Sequence, residues 1–210
     1  MDAPAVAHEP VRAAVAKANT MWSSLPLFAG GNSVGGPMTS QAQAISPLPG
    51  VLGLAFLGSP LHRAGKPSVD RAEHLSSASV PTLFIPGMRD ALAEPLPFAL
   101  MTVDLVPCAF PAEIVEADHS FHVPRRMGRI GHAVLEDMLD ILCVWTQAWR
   151  MNPALARCGA NARAVRRNGR AAKLATASNS NDPSLCFAID RLTVDPWRNA
   201  CLCSRSMSLP

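Results

Sequence analysis

Apolar residues in the first 150 positions follow two patterns. In Val11-Arg12-Ala13-Ala14-Val15-Ala16-Lys17-Ala18-Asn19-Thr20-Met21-Trp22 and in Val134-Leu135-Glu136-Asp137-Met138-Leu139-Asp140-Ile141-Leu142-Cys143-Val144-Trp145 they recur every three or four residues, which predicts amphipathic helices. Elsewhere they run unbroken for five to seven residues. Val51-Leu52-Gly53-Leu54-Ala55-Phe56-Leu57 reads as a strand buried on both faces, Val80-Pro81-Thr82-Leu83-Phe84-Ile85-Pro86 as a further strand, and a shorter apolar run, Leu25-Pro26-Leu27-Phe28-Ala29, as the strand before them. Ala112-Glu113-Ile114-Val115-Glu116 is a candidate fourth strand. Between strands come Gln41 to Ile45 and Arg71 to Ser76, both helix formers, whereas Ala91 to Leu100 carries Pro95 and Pro97 and makes a poor helix. Strands alternating with helices predict an α/β fold with a mostly parallel sheet and flanking helices.

Glycine and serine mark where the first strand ends. Gly30-Gly31-Asn32-Ser33-Val34-Gly35-Gly36 contains G-x-S-x-G, the pattern of a nucleophile on a sharp strand-to-helix turn. Residues two before and two after the serine must be small for the backbones to pass, and Gly31 and Gly35 stand there. The N-H of Val34 would then open the following helix and point at developing negative charge.

Two further strand ends carry groups able to activate a serine hydroxyl. Asp90 follows the third strand in Gly87-Met88-Arg89-Asp90, and His119 follows the fourth in Ala117-Asp118-His119-Ser120-Phe121. Carboxyl ends of parallel strands are where catalytic groups of open α/β sheets collect. His119 is the candidate base for Ser33, and Asp90 the candidate orienting its imidazole. Each also has a plainer reading: Asp90 as a helix cap, His119 as a half-buried histidine beside Asp118. His62 and His122 are the alternative bases, each with the plainer reading of a structural or solvent-facing histidine, and His62 and Lys66, in the loop Gly58 to Pro67, are candidates for shaping a substrate pocket. Arg125, Arg126 and Arg129 read as a solvated cluster.

Charge separates the chain into two parts. The net +3 of the 210 residues conceals 9 Lys+Arg against 13 Asp+Glu up to residue 149, net −4, and 10 against 3 from Arg150 onward, net +7. A domain over 1–150 followed by a basic, largely disordered tail over 151–210 is the expected organisation. In the tail Arg163, Arg166, Arg167, Arg170 and Lys173 share one helical face, but no aromatic residue lies among them for base stacking and Asn168-Gly169 interrupts the helix, so nucleic acid is not the expected partner. Cys201-Leu202-Cys203 lacks the paired spacing of a zinc site. No apolar run reaches the roughly 18 to 20 residues of a membrane span, Met1-Asp2-Ala3-Pro4 lacks the basic start of a secretory signal, and the six cysteines form no disulfide framework. A cytoplasmic protein with no membrane association is the expectation.

Four motifs in order carry a resemblance over residues 28 to 149: Ala29-Gly30-Gly31-Asn32-Ser33-Val34-Gly35-Gly36 with Met38-Thr39-Ser40; Gly58-Ser59-Pro60-Leu61-His62 with Gly65-Lys66-Pro67; Pro86-Gly87-Met88-Arg89-Asp90-Ala91-Leu92-Ala93; and Ala117-Asp118-His119-Ser120-Phe121. This stretch resembles the α/β-hydrolase family of the testis-expressed protein thirty and dienelactone-hydrolase-like type. The resemblance implies a triad of Ser33, Asp90 and His119 in the family's chain order, an oxyanion donor at Val34, and hydrolysis of an ester or related small-molecule acyl substrate, with no metal and no cofactor. Asn32 and Val34 stand where relatives usually carry lysine and methionine. Only 24 residues precede Leu25, so the resemblance implies the C-terminal half of the α/β-hydrolase fold. The first strand is then expected as an apolar edge open to self-association, and activity is expected to be weak. The alternative is a non-catalytic remnant or protein-interaction module.

Overall fold

The first strand, β1 (Leu27–Asn32), leaves a helix, α1 (Pro4–Met21), and hands the chain to α2 (Gly35–Ile45). The computed structural model describes residues 4–105 and 108–151; from residue 152 the expected tail, with its arginine face and Cys201-Leu202-Cys203, lies outside the described residues. Beyond α2 come β2 (Val51–Leu57), a 3-10 turn over Asp70–Ala72 with the short helix α3 (Leu75–Ala78), β3 (Thr82–Ile85), α4 (Pro95–Asp104), β4 (Ala109–Pro111), and the long α5 (Gly131–Met151). All three strand pairings are parallel, in the order β1-β2-β3-β4. This is the α/β architecture the periodicity predicts, with β1 at an edge of the sheet among the described residues.

Register explains how the two faces are filled. Ala29, Leu54, Thr82 and Ala109 form one row across the sheet, and Phe56 pairs Phe84 two residues on. That face packs into a core with Val15 of α1, Ala42 of α2, Ala78 of α3, and Phe98 and Met101 of α4. Residues of opposite parity must point the other way. There Phe28 and Phe110 meet Trp145 and Trp149 of α5 at ring separations of 5.3 to 6.5 Å. Trp145 is wholly buried, and Gly53 makes room for it: a Cβ on Gly53 would come within 2.7 Å of the indole. No helix among the described residues is long and apolar enough to cross a membrane.

Three elements differ from expectation. Arg71 to Ser76, read as one short helix, is divided between the 3-10 turn and the start of α3. Ala91 to Leu100 holds most of a regular helix, because Pro95 and Pro97 fall in its first turn, where backbone N-H groups have no partner to lose. The fourth strand is Ala109–Pro111 rather than Ala112–Glu116. Ala112 and Ile114 still donate to the carbonyls of Phe84 and Pro86, but Glu116 turns into the left-handed region at φ +59, which ends any extended run.

Candidate active site

Ser33 adopts φ +50, a left-handed conformation that costs a non-glycine residue about 1–2 kcal/mol, and its N-H is tied to the Leu57 carbonyl of β2 at 2.9 Å. The turn is tight on one side only. A Cβ on Gly31 would lie 2.6 Å from the Gly35 carbonyl carbon, whereas one on Gly35 would meet nothing within 4 Å. The first glycine of the motif is therefore required by space, and the second supplies the bare backbone against which the first packs. Val34 follows in right-handed conformation as N-cap of α2, so its N-H belongs to the unpaired first turn of the helix.

Asp90 lies beyond β3 in a turn closed by its own backbone, with Asp90 N-H donating to Gly87 O and Ala93 N-H to Asp90 O. At 1% exposure its carboxylate must be compensated by hydrogen bonds. Oδ1 accepts the Leu92 N-H at 2.8 Å and Oδ2 the ring of His119 at 2.8 Å. The capping geometry foreseen for Asp90 thus exists, around residues 90–93 rather than at a helix, and occupies only one carboxylate oxygen.

His119 stands on a loop that Asp118 shapes. Oδ1 of Asp118 accepts the N-H groups of Ser120 (2.9 Å) and His122 (3.0 Å), and Phe121 sits at φ +61. This loop is stitched to that of Asp90: Met88 N-H donates to Ile114 O, and Arg89 N-H to Ala117 O. The two backbones approach so closely that a Cβ on Gly87 would lie 2.4 Å from Ala117 O. Because a carboxylate only accepts, the His119 proton sits on Nδ1, and Nε2 is left to accept from the Ser33 hydroxyl 3.0 Å away. Ser33, His119 and Asp90, from the ends of different strands, therefore form one hydrogen-bonded line.

The other candidates make different contacts. His122 is exposed and faces Asp118 at 3.7 Å. His62 is 2% exposed with both ring nitrogens at backbone groups, Nδ1 at Arg63 O (3.0 Å) and Nε2 at Glu94 N-H (3.3 Å). Lys66 is exposed, its N-H closing a turn onto Arg63 O. Two of the three arginines in the cluster make ion pairs: Arg126 bonds Glu116 at 2.9 Å and Arg129 bonds Asp137. Among the described residues no group of three or more histidine, cysteine or acidic side chains is arranged to hold a metal.

Sequence reading did not single out Ser40 and His74. Ser40 Oγ lies 2.7 Å from His74 Nε2, beside His8, whose ring is 3.3 Å from Gln41 Oε1. Burial, with the nearby His8 adding to it, lowers the pKa of His74 below its usual 6.5, against a hydrogen bond to the Arg71 backbone that raises it. Nothing in the sequence flags this pair, because the contact spans 34 residues and, although Ser40 closes the first of the four motifs, His74 lies in none of them.

Residues 3–147 match the family model described as "Alpha/beta hydrolase domain". No curated protein matches the chain. Among solved structures, an esterase domain from a Rhodothermus marinus protein is 16% identical with a TM-score of 0.43, covering 54% of this chain and 60% of that one. An alpha-beta serine hydrolase homologue from Coxiella burnetii is also 16% identical, TM-score 0.48, covering 65% of this chain and 61% of the other. A monoacylglycerol lipase from Paleococcus ferrophilus is 14% identical, TM-score 0.41, covering 62% and 75%. The chain thus spans about three fifths of the length of the first two.

Proposed function

The chain belongs to the alpha/beta-hydrolase family through residues 3–147, and from that premise we propose that it is a serine hydrolase acting on a carboxylic ester or related acyl compound. One observation carries the reading: the hydrogen-bonded line from Ser33 Oγ through His119 to a buried Asp90, at 3.0 and 2.8 Å. In this reading Ser33 Oγ attacks the acyl carbon as His119 Nε2 takes its proton. Asp90, held by Leu92 N-H, keeps the ring in the required tautomer and stabilises the imidazolium that forms. The tetrahedral oxyanion meets the Val34 N-H at the start of α2, the kind of donor whose loss typically costs about 10² to 10³ in rate.

Collapse of the intermediate returns the proton from His119 to the departing alcohol. Water then attacks the acyl-serine, again giving its proton to His119, and the acid leaves as Ser33 regains its hydrogen. Within the family, the four motifs around Ser33, His62, Asp90 and His119 support the testis-expressed protein thirty and dienelactone-hydrolase-like branch. Labelling with a fluorophosphonate probe tests the proposal. The folded wild type should take the label, and Ser33→Ala and His119→Ala, shown by circular dichroism to be folded, should not; a folded wild type that stays unlabelled would overturn it.

A further inference from the structure

We infer that His62 is a positioning residue that holds the Asp90 loop from the neighbouring strand end, an assignment that rests on the hydrolase reading above. The loop after β2 touches residues 92–94 at three points. Leu61 N-H and His62 N-H both donate to Leu92 O, at 2.8 and 3.2 Å, and Glu94 N-H donates to His62 Nε2 at 3.3 Å. The Leu92 peptide is therefore gripped at both ends, its oxygen by residues 61–62 and its N-H by Asp90 Oδ1. Fixing Oδ1 leaves Oδ2 aimed at His119.

The ring chemistry is consistent throughout. Arg63 O can only accept, so Nδ1 of His62 carries the proton, and Nε2 presents the lone pair that Glu94 N-H needs. A single neutral tautomer satisfies both bonds. At 2% exposure the ring has no water to substitute for either partner, and both are backbone groups, so the imidazole acts as a clip between two loops. Its influence on Ser33 runs through Leu92, Asp90 and His119 in turn.

The two nitrogens can be tested separately. His62→Asn keeps an N-H near the Nδ1 position and abolishes the acceptor for Glu94, whereas His62→Gln places a carbonyl oxygen near the Nε2 position and restores it. In His62→Asn the low-field Nδ1-H proton resonance of His119, the signature of its bond to Asp90, should move upfield or vanish, and His62→Gln should bring it back. Against p-nitrophenyl acetate kcat should fall about 10- to 100-fold in the asparagine variant with KM little changed, since only the alignment of the reacting groups is disturbed. A folded His62→Asn with the His119 resonance intact would overturn the assignment. Should that variant not fold, wild-type nitrogen NMR decides. The Nε2-acceptor form with coupling to the Glu94 amide upholds the clip, and an Nε2-H tautomer sinks it. Absence of Ser33-dependent fluorophosphonate labelling would remove the hydrolase reading, while the resonance measurements still report on His62.

Discussion

Two serine–histidine pairs among the described residues look alike at the level of a single distance and differ in everything around it. Ser40 and His74 are closer, at 2.7 Å, than Ser33 and His119 at 3.0 Å. Yet Ser40 lies within α2 at 1% exposure, its Oγ also within bonding distance of the Gly36 and Pro37 carbonyls of its own helix. Its partner ring is disfavoured as a cation by burial and by His8. Ser33 instead sits on a strained turn ahead of a helix N-terminus, and its histidine is backed by a buried carboxylate that would stabilise the positive ring. A short oxygen–nitrogen contact does not make a nucleophile; a place for the proton's charge and access for a substrate do. In the proposed reading the first pair serves chemistry, while the second joins α2 to the start of α3.

The sharpest way to break this contrast is to remove each serine. Ser33→Ala should lower hydrolysis of p-nitrophenyl acetate by about 10⁴- to 10⁶-fold, whereas Ser40→Ala should leave the rate of the folded protein within about twofold; a reversal would exchange the roles assigned to the pairs. Next in size is Asp90→Asn, which leaves an amide where the imidazole expects an acceptor. A loss of about 10⁴ in kcat is expected by analogy with other triads, measured on protein whose far-ultraviolet circular dichroism matches wild type.

Gly87→Ala probes the stitching that the first pair has and the second lacks. The added methyl would meet Ala117 O and Asp118 O at 2.4 and 2.6 Å, so a destabilisation of about 1–3 kcal/mol is expected with a parallel fall in activity. A variant that unfolds at the wild-type urea midpoint would show that the two loops are freer than their contacts imply. Ser40→Ala should cost about 1 kcal/mol in the same assay through its lost hydrogen bond to His74.

The smallest expected effect is on pH. His74 has a folded-state pKa below its unfolded value near 6.5, so above pH 6.5 neither state binds its proton and its contribution is intact. Below that pH the unfolded chain protonates first, and stability is lost as pH falls toward the folded value. Comparing His74→Asn with wild type by urea unfolding at pH 7.5 and 5.5 isolates this: the stability advantage of wild type should shrink at the lower pH. An advantage that grows there would reverse the assigned sign.

Most of the sheet was legible because buried parallel strands are apolar without interruption, as Val51–Leu57 shows residue for residue. The weak points were local. α4 was obscured by two prolines whose effect depends on whether they stand in the first turn of a helix or later, and the fourth strand was misplaced because Ala112 and Ile114 stay bonded beyond β4 while Glu116 turns out of the extended region. Ser33, Asp90 and His119 were readable as candidates because each is a chemically distinctive residue placed beyond a strand or a strand-like run. The surroundings of His62 were not. The sequence leaves His62 open between base, pocket residue and structural residue, and its bond to the Glu94 N-H spans 32 residues, a contact that leaves no mark on its own neighbours in the chain.

By itself the sequence determined the alternation of strands and helices, the glycine that lets the chain pass Ser33, and the order serine, aspartate, histidine, because periodicity, missing side chains and residue type are local properties. Tertiary structure decided which histidine faces which serine and which carboxylate oxygen is left for it. Those depend on register between strands and on the close approach of the Gly87 and Ala117 backbones, and hydrogen bonds that span 29 and 86 residues acquire their direction only when the sheet is assembled.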